Sequence, residues 1–184
     1  MTELPGEHQG PQSPRRPPDR WNERLGHNQE GRILSSHEGV GPLRASQVAT
    51  RLPAQDLARA RSFYSEKLGL DPIEERPGAL RYRCQAGWFA LFESSGRPSG
   101  DHTQMAFEVD DLDATVAELR ARGLSFEHYD SPSLRTIEGV ATVEGNYPST
   151  GATGERAAWF YDSEGNLLAL GQPRRPSERT GDER

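Results

Sequence analysis

Cysteine is nearly absent: Cys84 is the single thiol in 184 residues. One thiol closes no internal disulfide and cannot build a thiolate metal cluster. Long apolar runs are missing as well, and nothing approaches the roughly 20 residues that cross a bilayer. Met1 to Gly10 hold neither a basic cluster nor an apolar stretch, so no secretory signal is expected there and the expected location is cytoplasmic. Positive charge is in deficit, with 22 Lys and Arg against 28 Asp and Glu and a net charge of −6. Proteins that read nucleic acid present a basic patch to the phosphates. Here Arg15, Arg16, Arg174 and Arg175 stand beside prolines and acids, the composition of a solvated tail. Neither a nucleic acid nor a membrane is an expected partner. A glycine-rich phosphate loop, a Ser/His/Asp arrangement and zinc-ligand spacing are missing too. Cys84 lies in an apolar-alternating stretch with no histidine partner identifiable, which fits a buried thiol rather than a nucleophile.

Hydrophobic residues make up 33% of the chain, low enough that part of its length should lie outside the core. Residues 1–44 are rich in Pro, Gly, Gln, Glu, Arg and His without a sustained period, and are expected to form a disordered extension. Residues 174–184 have the same character, which leaves a folded domain over 45–173. Within it, Gln47–Pro53 reads as a strand. Asp56 is a plausible N-cap for a helix carrying Leu57, Ala60, Tyr64 and Leu68 and ending at Gly69. Strands follow near Ile73–Arg76, at Leu80–Cys84 and at Trp88–Glu93. The second half repeats the scheme: strand Thr103–Val109, cap Asp111, helix residues Leu112, Val116 and Leu119, terminator Gly123, then strands Ser125–Tyr129, Arg156–Tyr161 and Leu167–Leu170. The expected fold is α+β, with two βαβββ modules (45–96 and 102–172) side by side in a curved, cup-shaped mixed sheet. A long loop over 130–154 interrupts the second module. The cup would offer a cleft to a small molecule.

Asp56-Leu57, then Ser62-Phe63-Tyr64 and Leu68-Gly69-Leu70, resembles the opening signature of the vicinal-oxygen-chelate superfamily (glyoxalase, bleomycin resistance, extradiol dioxygenase). Met105 to Asp111 is similar to the opening of that family's second module, and Asp162-Ser163-Glu164-Gly165-Asn166 to its closing turn. The resemblance covers about residues 46–172. It implies a divalent metal held by His, Gln or Glu on the first and last strands of each module, acting as a Lewis acid on paired substrate oxygens. Counting from the capping aspartates and the closing glycine puts those positions at Ala49, Gln104 and Ala169, and aligning Phe89-Ala90-Leu91-Phe92 with Leu167-Leu168-Ala169-Leu170 adds Leu91. Alanine and leucine carry no donor atom, so no cofactor is expected. A divalent metal could enter only through a shifted site of His102, Gln104 and Glu93. An exposed loop is the plainer reading of His102, and a surface position that of His128, His8, His27 and His37.

Strand alternation places Arg51, Ala106, Glu108, Leu167 and Gly171 on the cleft face with Ala49, Gln104 and Ala169. Val48, Leu52, Met105, Phe107, Val109, Leu168 and Leu170 should pack beneath the helices. Arg51 could grip a carboxylate or phosphate bidentately, or form a structural pair with Glu108 or Glu93. Arg81 and Arg83 share one face, by default a solvated one. Tyr147, in the long loop, could close over a ligand or belong to a mobile surface loop. Trp159, Tyr161, Trp88 and Phe89 read as core aromatics before stacking platforms, although the bleomycin-resistance relatives imply metal-free sequestration of planar ligands. The expected function is metal-independent binding of a small organic molecule. The alternative is a glyoxalase-type lyase, isomerase or dioxygenase using Gln104, Glu93 and His102. A regulatory module acting by partner contact is a third reading, resting on the tails alone. The duplicated chain could build its cup alone and is also compatible with a homodimer.

Overall fold

The computed structural model describes residue 43 and residues 48–145 and 151–175. The N-terminal extension other than Leu43, residues 176–184 and Tyr147 therefore lie outside the described residues. Ten elements follow in order: β1 (Thr50–Ala54), α1 (Leu57–Leu68), β2 (Glu74–Arg76), β3 (Ala79–Arg83), β4 (Trp88–Glu93), β5 (Met105–Glu108), α2 (Leu112–Ala121), β6 (Val140–Glu144), β7 (Gly154–Tyr161) and β8 (Leu167–Arg174). They form two four-stranded mixed sheets, β1-β4-β3-β2 and β5-β8-β7-β6, which are not closed into one. The outer pairs β1–β4 and β5–β8 are parallel and the rest antiparallel, so the paired βαβββ modules are present as expected.

Each helix starts where the sequence marks it. The Asp56 carboxylate accepts the backbone N–H of Arg59 at 2.9 Å, and Asp111 that of Ala114 at 3.0 Å, so each satisfies a donor left over by the first turn. Gly69 ends α1 at φ 67°, where a Cβ would lie 2.8 Å from the Arg122 guanidinium. The helices cover one side of each sheet. Tyr64 packs on Tyr82 and Phe89, while Phe160 meets Phe126 beside α2. Leu52, Leu80, Leu91, Leu112, Val116, Leu168 and Leu170 complete one core shared by both modules. The modules meet through these helix sides, with Phe89 edge-on to Phe107 at 5.9 Å.

Three expectations change. Ser125–Tyr129 forms no strand; Leu124 and Phe126 are buried there, but the stretch reaches β7 through one backbone bond, Glu127 N–H to the Trp159 carbonyl at 2.8 Å. The fourth strand of module two is β6, inside the stretch expected to be a loop over 130–154. Its Val-Ala-Thr-Val-Glu pattern pairs with Gly154 through Ala158, ahead of the point where Glu127 approaches. Val48 does not pack beneath α1: it is 91% exposed, because β1 begins only at Thr50.

Candidate functional site

Registered cross-strand partners share a face, so the pairing fixes which side chains turn away from the helices. In module one this far face carries the row Arg51, Ala90, Arg81 and Glu74, and beside it the row Pro53, Phe92, Ala79 and Arg76. Trp88 and Arg83 pair on its other flank. In module two the matching rows are Ala106, Ala169 and Trp159, then Glu108, Gly171, Ala157 and Ala141. Gln104 precedes the first of these, its backbone N–H on the Leu167 carbonyl at 2.9 Å, level with the Leu167–Tyr161 pair.

The two far faces differ in exposure. Arg51, Arg81 and Arg83 are exposed in module one, whereas Ala141, Ala157, Ala169 and Gly171 are buried in module two. There the amide oxygen of Gln104 is buried without a hydrogen-bond partner. Trp159 donates its indole N–H to the Thr103 hydroxyl at 3.1 Å and stands edge-on to Tyr129 at 5.5 Å. Tyr161 donates its hydroxyl to the Gly100 carbonyl at 2.9 Å.

The sequence-derived site residues are thus brought together only in part. Leu91 is corrected: it is 0% exposed and packs with Leu52 in the core, and the residue on Arg51's face is its neighbour Ala90. A one-residue slip in aligning β4 with β8 turns a strand residue to the opposite side. Glu93 shares the parity of Leu91 and lies exposed at the end of β4, so it does not join Gln104. His102 is exposed and meets the Ser99 hydroxyl at 3.3 Å. His128 is exposed as expected. Glu108 is exposed and lies 4.0 Å from Arg175, and neither the Arg51–Glu108 nor the Arg51–Glu93 pair forms. Arg81 is no merely solvated residue: it pairs with Glu74 at 3.1 Å and lies 4.9 Å over the Trp88 ring. That stacking, and the Tyr129 edge on Trp159, carry no periodic signal in the sequence. Burial pushes the Cys84 thiol pKa up, away from a reactive thiolate.

The donor set does not fit the metal that the family's enzymes hold. Ala49, Ala90 and Ala169 bring no lone pair, and Gln104 brings one weak oxygen. Two clefts lie elsewhere. One, of about 660 Å³ beside α2, holds Arg156 and Arg120, but Asp113 takes Arg156 bidentately and Arg120 donates to the Glu138 carbonyl. The other, of about 810 Å³ at the closing turn, holds Arg59, already paired with Glu164 at 2.9 Å. These arginines are committed within the fold, whereas the far faces carry the family positions Ala90, Gln104 and Ala169.

Paired βαβββ modules, each with a mixed sheet and a helix on one side, define the class of fold. A model of the Glyoxalase/Bleomycin resistance protein/Dioxygenase superfamily matches residues 46–170, and the chain belongs to that superfamily. No curated protein matches the sequence. Among solved structures, a glyoxalase/bleomycin resistance protein/dioxygenase from Alicyclobacillus acidocaldarius is 16% identical, covering 68% of this chain and 89% of its own, with a TM-score of 0.50. TnmS3, an antibiotic binding protein from Streptomyces sp. CB03234, is 23% identical over 70% of this chain and 98% of its own, with a TM-score of 0.45. Lactoylglutathione lyase from Agrobacterium tumefaciens is 21% identical over 70% and 93%, with a TM-score of 0.46. At these identities the likeness concerns the fold.

Proposed function

We propose that this protein binds a small organic molecule on the far faces of its sheets without a catalytic metal, in the manner of a sequestration or antibiotic-tolerance protein. The observation that carries the reading is the Gln104 amide oxygen, buried without a partner at a family ligand position whose counterparts are alanines. A buried acceptor left unpaired costs about 1–3 kcal/mol, which an N–H or O–H of a bound molecule would recover. An apolar floor of Ala106, Ala169 and Leu167 with Trp159 nearby suits a flat ligand.

The experiment joins two measurements on untagged protein. Inductively coupled plasma mass spectrometry should find less than stoichiometric divalent metal. A thermal-shift screen of aromatic antibiotics should yield ligands whose stabilisation is lost in Gln104→Leu. One metal per chain would return the lead to a glyoxalase-type lyase, isomerase or dioxygenase, and ligands insensitive to Gln104→Leu would move the site elsewhere.

A further inference from the structure

We infer that the far face of module one is an anion-selecting surface for a flat aromatic ligand bearing a carboxylate, phosphonate or sulfonate; this rests on the small-molecule reading above and names the ligand class.

Four guanidiniums, Arg51, Arg76, Arg81 and Arg83, stand on this face, and Glu74 is its one carboxylate. Glu74 pairs with both Arg76 and Arg81, so four positive charges against one negative leave three uncompensated. That excess sits in a chain of net charge −6, where a surface serving solubility alone would intersperse the two signs. Among the described residues Arg51 and Arg83 have no ion pair, and both are exposed.

The layout is also specific. Arg51 and Arg81 flank Ala90 in a single row, and two strand spacings put their Cα atoms about 10 Å apart. The methyl group of Ala90 keeps the floor between them low. Trp88 and Phe92, one on either side of Ala90 along β4, add aromatic surface to that floor. Arg81 already stacks on Trp88, which shows that the ring accepts a planar cation at its face. Guanidinium is weakly hydrated, stacks on π systems and grips an oxyanion through two parallel N–H bonds. A bicyclic or tricyclic aromatic would lie across Ala90 with its anionic group reaching Arg51 or Arg83.

The discriminating experiment titrates the full chain with two dyes of one shape: 8-anilinonaphthalene-1-sulfonate, which is anionic, and N-phenyl-1-naphthylamine, which is neutral. The expected result is a single anionic-dye site whose affinity falls by about tenfold or more in R51Q/R83Q, the effect of losing charge-assisted contacts. The neutral dye should bind that variant as it binds wild type. Raising salt from about 0.05 M to about 0.5 M should weaken the anionic dye on wild type more than on the variant, which keeps one uncompensated charge on this face. Both substitutions are at exposed positions, so the fold persists, and W88L should weaken both dyes. If R51Q/R83Q binds the sulfonate like wild type, or the sulfonate binds no tighter than the neutral dye or not at all, the charge selection is wrong. The Gln104→Leu thermal shifts then report separately whether small-molecule binding survives without it.

Discussion

Tyr82 and Gln104 each hold a polar side-chain atom out of water without a hydrogen-bond partner, and their surroundings give the two atoms different meanings. The Tyr82 hydroxyl lies in the helix-side core among Tyr64 and Phe89, where desolvation by burial raises its pKa to about 12. Its charged neighbours Arg61, Glu75 and Asp71 form no hydrogen bond with it. The Gln104 oxygen is equally buried, but its residue stands level with the far-face Leu167–Tyr161 pair, so on the proposed reading a ligand seated there would draw it out. Tyr82→Phe is therefore expected to keep the stacked ring and relieve an unsatisfied hydroxyl, giving stability equal to wild type or higher by about 1 kcal/mol in urea denaturation. A loss of stability would mean that the hydroxyl has a partner in solution. Gln104→Leu should likewise fold, but lose ligand stabilisation, so the pair separates a buried polar atom without a role from one with a task.

At the scale of elements, adjacent residues on β4 face opposite ways, and that is measurable. Leu91→Ala empties a fully buried site beside Leu52 and should cost about 2–5 kcal/mol. Ala90→Leu adds bulk on the far face between Arg51 and Arg81 and should change stability by about 0.5 kcal/mol or less. It should nevertheless weaken the anionic dye by filling the floor. Equal destabilisation by the two changes would refute the assigned register. This strand also shows what was legible in the sequence. Both helices follow from Asp56, Gly69 and Asp111 with their apolar spacing, because caps and 3.6-residue periods are local signals. The parity of β4 was not recoverable, since Trp88-Phe89-Ala90-Leu91-Phe92 is apolar throughout and does not alternate. Val140–Glu144, expected as part of a loop, takes the strand place expected of Ser125–Tyr129, because which stretch joins β7 depends on tertiary pairing rather than on composition. Of the candidate site, Arg51 and Gln104 were readable from the repeat, whereas the row Arg51–Ala90–Arg81 needed the register.

Across the whole molecule, the closing turn of module two is stitched into the start of module one. The Glu164 side chain, 0% exposed, accepts the backbone N–H groups of Gln55 at 2.7 Å and Asp56 at 3.1 Å and two N–H bonds from Arg59. Two residues earlier, Asp162 takes the Tyr64 hydroxyl at 3.0 Å and the Asn166 amide at 2.7 Å. These contacts tie 162–166 to α1 and to the link between β1 and α1 over 98 to 109 residues, so loosening the turn should loosen the join between modules. The two carboxylates titrate in opposite senses. Burial alone would raise the Glu164 pKa, but its bonds to Arg59, Asp56, Gln55 and Ser163 outweigh this and hold it below the ordinary 4.5. Its contribution is therefore fully present above pH 4.5 and is lost as pH falls through the lowered folded value. For Asp162, burial dominates its hydrogen bonds and the pKa is raised above 3.8, so its contribution is present below that value and lost as pH rises through the folded one. Glu164→Gln keeps the shape and leaves Asp162 in place, so the Asp162 effect cancels in the comparison with wild type. At pH 7 the substitution should cost about 1–3 kcal/mol by thermal or urea unfolding, since the amide keeps one acceptor oxygen for these N–H groups and turns an NH2 donor toward the rest. The gap should narrow steadily as pH falls below 4.5, where wild-type Glu164 gives up its charge too. A gap that stays constant down to the acid transition would show that the Glu164 charge does not join the modules, and that shape and packing at the turn hold them instead.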